Sequence, residues 1–224
     1  MSARLHIIVG DGKEFHVQKE LLCKHSEYFR DICSDPLAGY QQPIRINHVD
    51  ADTAASFFGF LHDEDVYLAT GISLTVHQKA DGPSHAKRQS YFLHLSKCYV
   101  LGWDLKAYTF CNAIMDVLVE FSRKGNNLKF IAGGTEEITK YVASEATYTP
   151  LHELLDDNYT GNAKTSERLE EFTKIAGTEE MKVLKVLKDI SKSETLDKMK
   201  ELSFPWERDI CYYHKHPDDE DGRS

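Results

Sequence analysis

The stretch Phe15-His16-Val17-Gln18-Lys19-Glu20-Leu21-Leu22-Cys23-Lys24-His25-Ser26-Glu27-Tyr28-Phe29 decides how this chain is read. Ahead of it lie a short apolar run, Leu5-His6-Ile7-Ile8-Val9, and a Gly10-Asp11-Gly12 turn. Glycine takes positive φ without steric cost, so Gly10 and Gly12 allow a tight hairpin in which residues 5–9 fold back onto 13–17. Leu21 and Leu22 then fit a short helix. Ser26 stands where an N-cap is expected before Tyr28, Phe29 and Ile32, because its hydroxyl can take an orphan amide of the next helix's first turn.

That order of parts, with Phe15, Leu22, Ser26, Tyr28 and Phe29 at these spacings, resembles the start of a BTB/POZ domain. The resemblance implies an α+β fold, a small sheet with helical hairpins followed by a mostly helical C-terminal region. It also implies a protein–protein interaction module without chemistry of its own. Such domains commonly pair through the first helix and a nearby strand, which map here onto residues 1–5 and 18–25. Leu5, Gln18, Leu21 and Cys23 are therefore the candidate contact residues, the apolar ones lying between polar neighbours that could form a rim. The implied partners are a second copy of the chain or another protein. An adaptor bound to a cullin-type ubiquitin-ligase scaffold is the runner-up. Gln18 stands where many members carry histidine, and where cullin-binding members present a hydrophobic-x-acid signature, Leu37-Ala38-Gly39 has no acid.

Composition agrees with a folded, water-facing chain. Of 224 residues, 41% are apolar and 11% aromatic, enough for a sizeable core. A formal charge of −9 argues against nucleic-acid binding, which needs a concentrated basic face. The five cysteines, Cys23, Cys33, Cys98, Cys111 and Cys211, are widely spaced and odd in number, and no secretory leader precedes them. Reduced thiols in the cytoplasm or nucleus are expected. No apolar run reaches membrane-spanning length, so no membrane partner is expected.

Further along, Ile44-Arg45-Ile46 reads as a third strand, and Asp50 or Asp52 can cap a helix carrying Ala54, Phe57, Phe58 and Leu61. The pattern breaks over about 70–89, which reads as an exposed loop with a brief strand at 72–76. From Ser90, Phe92, Leu95 and Tyr99 share a helical face, with Gly102 as a plausible stop and Asp104 as the next cap. Phe110, Cys111, Ile114, Val117, Leu118 and Phe121 then keep i, i+3, i+4 spacing up to Gly125. The expected layout is a BTB/POZ-like domain at 1–123, a helical region at 124–216 and an acidic disordered tail at 217–224. In the helical region, Thr149-Pro150 opens a helix toward Leu151, Leu154 and Leu155, and further amphipathic stretches follow Thr135 and Thr178 and close over 196–202. The runs Tyr148-Thr149-Pro150-Leu151-His152-Glu153-Leu154-Leu155-Asp156 and Cys211-Tyr212-Tyr213-His214-Lys215-His216 resemble the tail of fungal BTB-domain proteins of unassigned role.

Four constellations could carry chemistry. Gly10-Asp11-Gly12-Lys13 lacks the Ser or Thr after Lys and the following helix that a phosphate cradle needs, so it reads as a turn. Residues 156–167 set Asp156, Asn158, Thr160, Gly161 and Glu167 at the spacing of a calcium-binding loop, although Thr160 is a weak ligand and no second loop pairs with it. Cys211, His214 and His216 have zinc-type side chains at close spacing, against a plainer role in packing around Tyr212 and Tyr213. No Gly-x-Ser-x-Gly elbow occurs among the eleven histidines' neighbours or elsewhere. The expectation is no enzyme, no cofactor, and neither catalytic nor metal residues. A calcium- or zinc-binding protein or an enzyme built on the C-terminal half is the alternative of another class.

Overall fold

Strand β1 (Arg4–Val9) runs through the middle of a three-stranded sheet. Strand β2 (Glu14–Gln18) pairs with it antiparallel, with Leu5 opposite Val17 and Ile7 opposite Phe15. Strand β3 (Ile44–Ile46) pairs with it parallel, with Ile7 opposite Ile44 and Val9 opposite Ile46. Period-two alternation sends Leu5, Ile7 and Val9 into the core. The computed structural model describes residues 3–34, 43–71, 85–125, 149–155 and 209–216. The expected strand at 72–76, the Leu37-Ala38-Gly39 stretch, the calcium-type loop at 156–167, the helices after Thr135 and Thr178 and over 196–202, and the acidic tail lie outside the described residues.

The hairpin turn is the expected one, with a different division of labour between its glycines. Gly12 has φ of 79°, the left-handed conformation that favours glycine. Gly10 does not; there a Cβ would sit 2.2 Å from the Asn47 carbonyl oxygen, so close backbone approach requires the glycine.

Between β2 and β3 come α1 (Lys19–His25) and α2 (Glu27–Ser34), then α3 (Ala51–Asp63) after β3. Asp50 is the residue that caps α3, its carboxylate accepting the Thr53 N–H at 2.8 Å. Ala54, Phe57, Phe58 and Leu61 are buried as their spacing predicts. A short helix, α4 (Val66–Thr70), follows on residues ahead of the expected loop at about 70–89. Asp65 caps it by accepting the Tyr67 and Leu68 amides.

Helix α5 (His85–Asp104) begins ahead of Ser90 and runs through Gly102, which is not a stop. A Cβ at Gly102 would meet Cys111 Sγ at 2.8 Å and Phe110 Cδ1 at 3.0 Å, so this glycine serves close packing. The left-handed residue that turns the chain is Lys106, with φ of 48°. Asp104 ends α5 and pairs with His48 at 3.1 Å rather than capping α6 (Tyr108–Gly125).

The described residues divide into two compact units. The first holds 3–34, 43–71, 94–117 and 214–216. Its core is aromatic: Phe110 lies 5.3 Å from Phe57 and 5.0 Å from Phe60, and Phe58 meets Phe15 at 4.9 Å. Each fully buried phenylalanine contributes on the order of 2–3 kcal/mol of apolar transfer. The second unit holds 85–93, 118–125, 149–155 and 209–213. Its buried residues include Phe92, Leu118, Phe121, Leu151, Leu154, Leu155 and Tyr213. Thr149 precedes the helical residues 150–155, its carbonyl accepting the His152 N–H at 2.9 Å.

Candidate interaction surface

The hairpin and α1 are joined without a gap: Gln18 ends β2 and is the residue before α1, and the Lys19 N–H donates to Ala3 O at 2.9 Å. Gln18 makes no side-chain cap bond. Leu22 is fully buried and fixes the helix face. At 100° per residue, Leu21 and Cys23 then fall on its two shoulders. Both are half-buried, while Glu20 and Lys24 are exposed. Leu5, by contrast, packs in the chain's own core opposite Val17. Of the four residues singled out for contact, Gln18, Leu21 and Cys23 thus keep accessible surface, and Leu5 shapes the hairpin from inside.

Cys23 is occupied on its own chain. Its Sγ donates to Phe29 O at 3.7 Å, over the first turn of α2. One turn further on, burial and the hydrogen bond that the Cys33 thiol donates to Cys23 push the Cys33 thiol up to about 11. Arg30 reaches back to the α1 carbonyls of Cys23 and Lys24 at 3.2 and 3.4 Å, satisfying acceptors that a helix C-terminus leaves open. Lys24 Nζ holds Glu64 Oε1 at 2.6 Å. His25 beside it is buried, and burial, then the Lys24 charge, lowers its pKa. Its Nε2 has no hydrogen-bond partner among the described residues, with Glu64 Oε1 3.6 Å away. Leu21 is therefore the apolar side chain on this helix that neither the core nor a neighbouring group claims fully.

Sequence reading missed a second accessible apolar pair, Tyr67 and Leu68 on α4, 40% and 71% exposed. The capping aspartate Asp65 was the one signal for so short a helix.

Among the described residues, two constellations of catalyst-type side chains take structural roles. At Gly10-Asp11-Gly12-Lys13, the Asp11 carboxylate accepts the Lys13 and Ala51 amides at 3.1 and 3.2 Å, so these donors are spent on the turn. Ser56 Oγ lies 3.0 Å from His94 Nε2, but the hydroxyl donates to Asp52 O at 3.1 Å and the residue is buried. A nucleophile needs a free, reachable hydroxyl whose proton the imidazole can take, and Ser56 offers neither. Burial pushes the nearby Cys98 thiol up to about 12 and raises the Cys111 thiol further, leaving both protonated at neutral pH. All five cysteines are free thiols. No described helix is long and apolar enough to cross a membrane.

The residues 214–216 are held on α6. Asn112 bonds Lys215 twice, its side-chain amide donating to the Lys215 carbonyl and accepting the Lys215 N–H, each at 2.9 Å. His214 Nε2 lies 2.9 Å from Asp116 Oδ1.

Compared with known proteins, residues 5–81 match the family model of the BTB/POZ domain, a protein–protein interaction module. The match covers the sheet and helices α1 to α4. No curated protein and no solved structure gives a significant match to the chain.

Proposed function

We propose that the BTB/POZ domain carried by residues 5–81 joins this chain to a second copy of itself, and that the contact is made by α1 with the hairpin beside it. The observation that carries this reading is Leu21: an apolar side chain, partly exposed, on a helix whose neighbouring Leu22 is fully buried. Glu20 and Lys24 flank it as an exposed polar rim, the arrangement of an apolar centre within a solvated border. Gln18 extends the same surface to the end of β2, the outer strand of the sheet on that side. The role is one of assembly rather than catalysis: the domain positions whatever partner proteins the rest of the chain engages.

Light scattering on the full chain tests the reading. The wild-type protein gives the mass of a dimer, and Leu21→Asp, which puts a carboxylate on the apolar shoulder, gives a monomer with unchanged far-UV circular dichroism. An identical dimer mass for Leu21→Asp would remove α1 from the contact.

A further inference from the structure

Helices α1 and α2, both within the first compact unit, hold two thiols against each other. Lys19 and Cys23 stand one turn apart on α1, and both reach α2. Lys19 Nζ donates to Cys33 O at 3.4 Å, and Cys23 Sγ donates to Phe29 O at 3.7 Å. Phe29 and Cys33 are i and i+4 on α2, so the carbonyl that meets Cys23 is the one that accepts the Cys33 N–H within the helix. The two contacts bracket Cys33 at its backbone oxygen and its backbone nitrogen. They bring the sulfurs within hydrogen-bond reach, the Cys33 S–H donating to Cys23.

The backbones are fixed as well. Arg30 of α2 donates to the Cys23 carbonyl at 3.2 Å, and Ser26 Oγ, between the helices, accepts the Phe29 N–H at 3.2 Å. Both cysteines are free and partly exposed, so a small reagent can reach them, whereas Cys98 and Cys111 are buried.

We propose that Cys23 and Cys33 are a redox-active dithiol that a small-molecule disulfide of the glutathione type closes into an internal disulfide, stapling α1 to α2. Cys23, the acceptor of the pair, loses its proton to solvent, and its thiolate attacks one sulfur of the small disulfide. That S–S bond breaks, a mixed disulfide forms on Cys23, and the first small thiolate leaves and takes up a proton. Cys33 then gives its proton to solvent and attacks the Cys23 sulfur, expelling the second small thiol. Two electrons pass from the protein pair to the small disulfide, which ends as two thiols. Closing the bond brings the sulfurs to about 2.05 Å by side-chain rotation, with the helix backbones held. The proposal does not rest on self-association, because Leu21 lies on the other shoulder of α1.

The full chain is equilibrated in mixtures of reduced and oxidised glutathione, quenched with acid and digested with trypsin. Cleavage after Lys19, Lys24, Arg30 and Arg45 makes the link readable by mass as peptide 20–24 joined to 31–45, lighter by two hydrogen atoms than the separate pair. The folded chain is expected to form this link. The exposed thiol of Cys211 serves as the internal reference, taking a glutathione adduct. Cys33→Ser should abolish the link and leave glutathione trapped on Cys23. A staple that fits the fold also constrains the unfolded chain, so the equilibrium constant for closure should be at least about tenfold larger in buffer than in concentrated urea. Glutathione adducts on both cysteines of the wild-type chain with no 20–24 to 31–45 link would overturn the proposal. So would a link that joins two chains, or one that forms no more favourably in the folded chain than in urea.

Discussion

Ser26 Oγ donates to the Leu105 carbonyl oxygen 2.5 Å away, across 79 residues of chain. Ser26 Oγ in turn accepts the Phe29 N–H at 3.2 Å, so one buried hydroxyl caps α2 and ties the α1–α2 junction to the turn before α6. The Glu27 N–H adds a weaker bond to Lys106 O at 3.4 Å. Ser26→Ala removes the cap and leaves a buried carbonyl without its donor. Together these cost about 2–3 kcal/mol. The urea midpoint of the full chain measures it; a loss below about 0.5 kcal/mol, the range of an inert surface change, would mean that water replaces the hydroxyl freely.

Phe29 and Phe110 are both fully buried, and Phe110 bridges Phe57 and Phe60. Truncating either to alanine should cost roughly 3–5 kcal/mol, much of a domain's stability. Little soluble protein is expected from either variant, and a thermal melt close to wild type for both would show that these helix faces are turned outward.

Stability should fall as pH drops from about 7 to about 5. Burial lowers the pKa of His25 and of His94 below the ordinary 6.5. For His25 the Lys24 charge adds to burial and Glu64 opposes it; for His94, Asp50 and Asp52 oppose burial and Lys97 adds to it. Each imidazole is therefore kept neutral in the fold while the unfolded chain takes up a proton near 6.5. The unfolded state binds more protons in that window, so the stability present above 6.5 is lost as pH falls through it. Denaturant midpoints at stepped pH values read the slope, and His94→Asn should flatten part of it. A midpoint that rises on acidification through this range would contradict the assignment.

The sheet, the two short helices and the buried face of α6 were legible because each rests on local signals: alternation in Leu5, Ile7 and Val9, the cap at Ser26, and the spacing from Phe110 to Phe121. Gly102 misled because a glycine after an apolar helix usually ends it. Here the demand for space comes from Cys111 and Phe110, nine and eight residues further on, which only the packed chain reveals. Asp104 failed as a cap for the same reason: Lys106 makes the turn and Asp104 answers His48. Leu5 and Leu21 look alike in the sequence, each a leucine that follows a charged residue. The pairing of β1 with β2 buries the first, and the rotation that buries Leu22 leaves the second half outside. Cys211, His214 and His216 were visible as a trio of residue types, but Asp116 and Asn112, which orient and anchor the histidines' segment, lie about a hundred residues away.

The proposed association of two copies runs through residues 5–81, which match the BTB/POZ family model. The chain carries a formal charge of −9, so two copies repel most at low ionic strength, and salt screens that repulsion within about 10 Å at 0.1 M. An apolar contact centred on Leu21 is not weakened by such screening. Sedimentation equilibrium of the full chain at high micromolar concentration, in low and in high salt, is the direct measurement. A dimer that persists or tightens as salt is raised is the predicted result, and a monomer in both buffers would contradict the account.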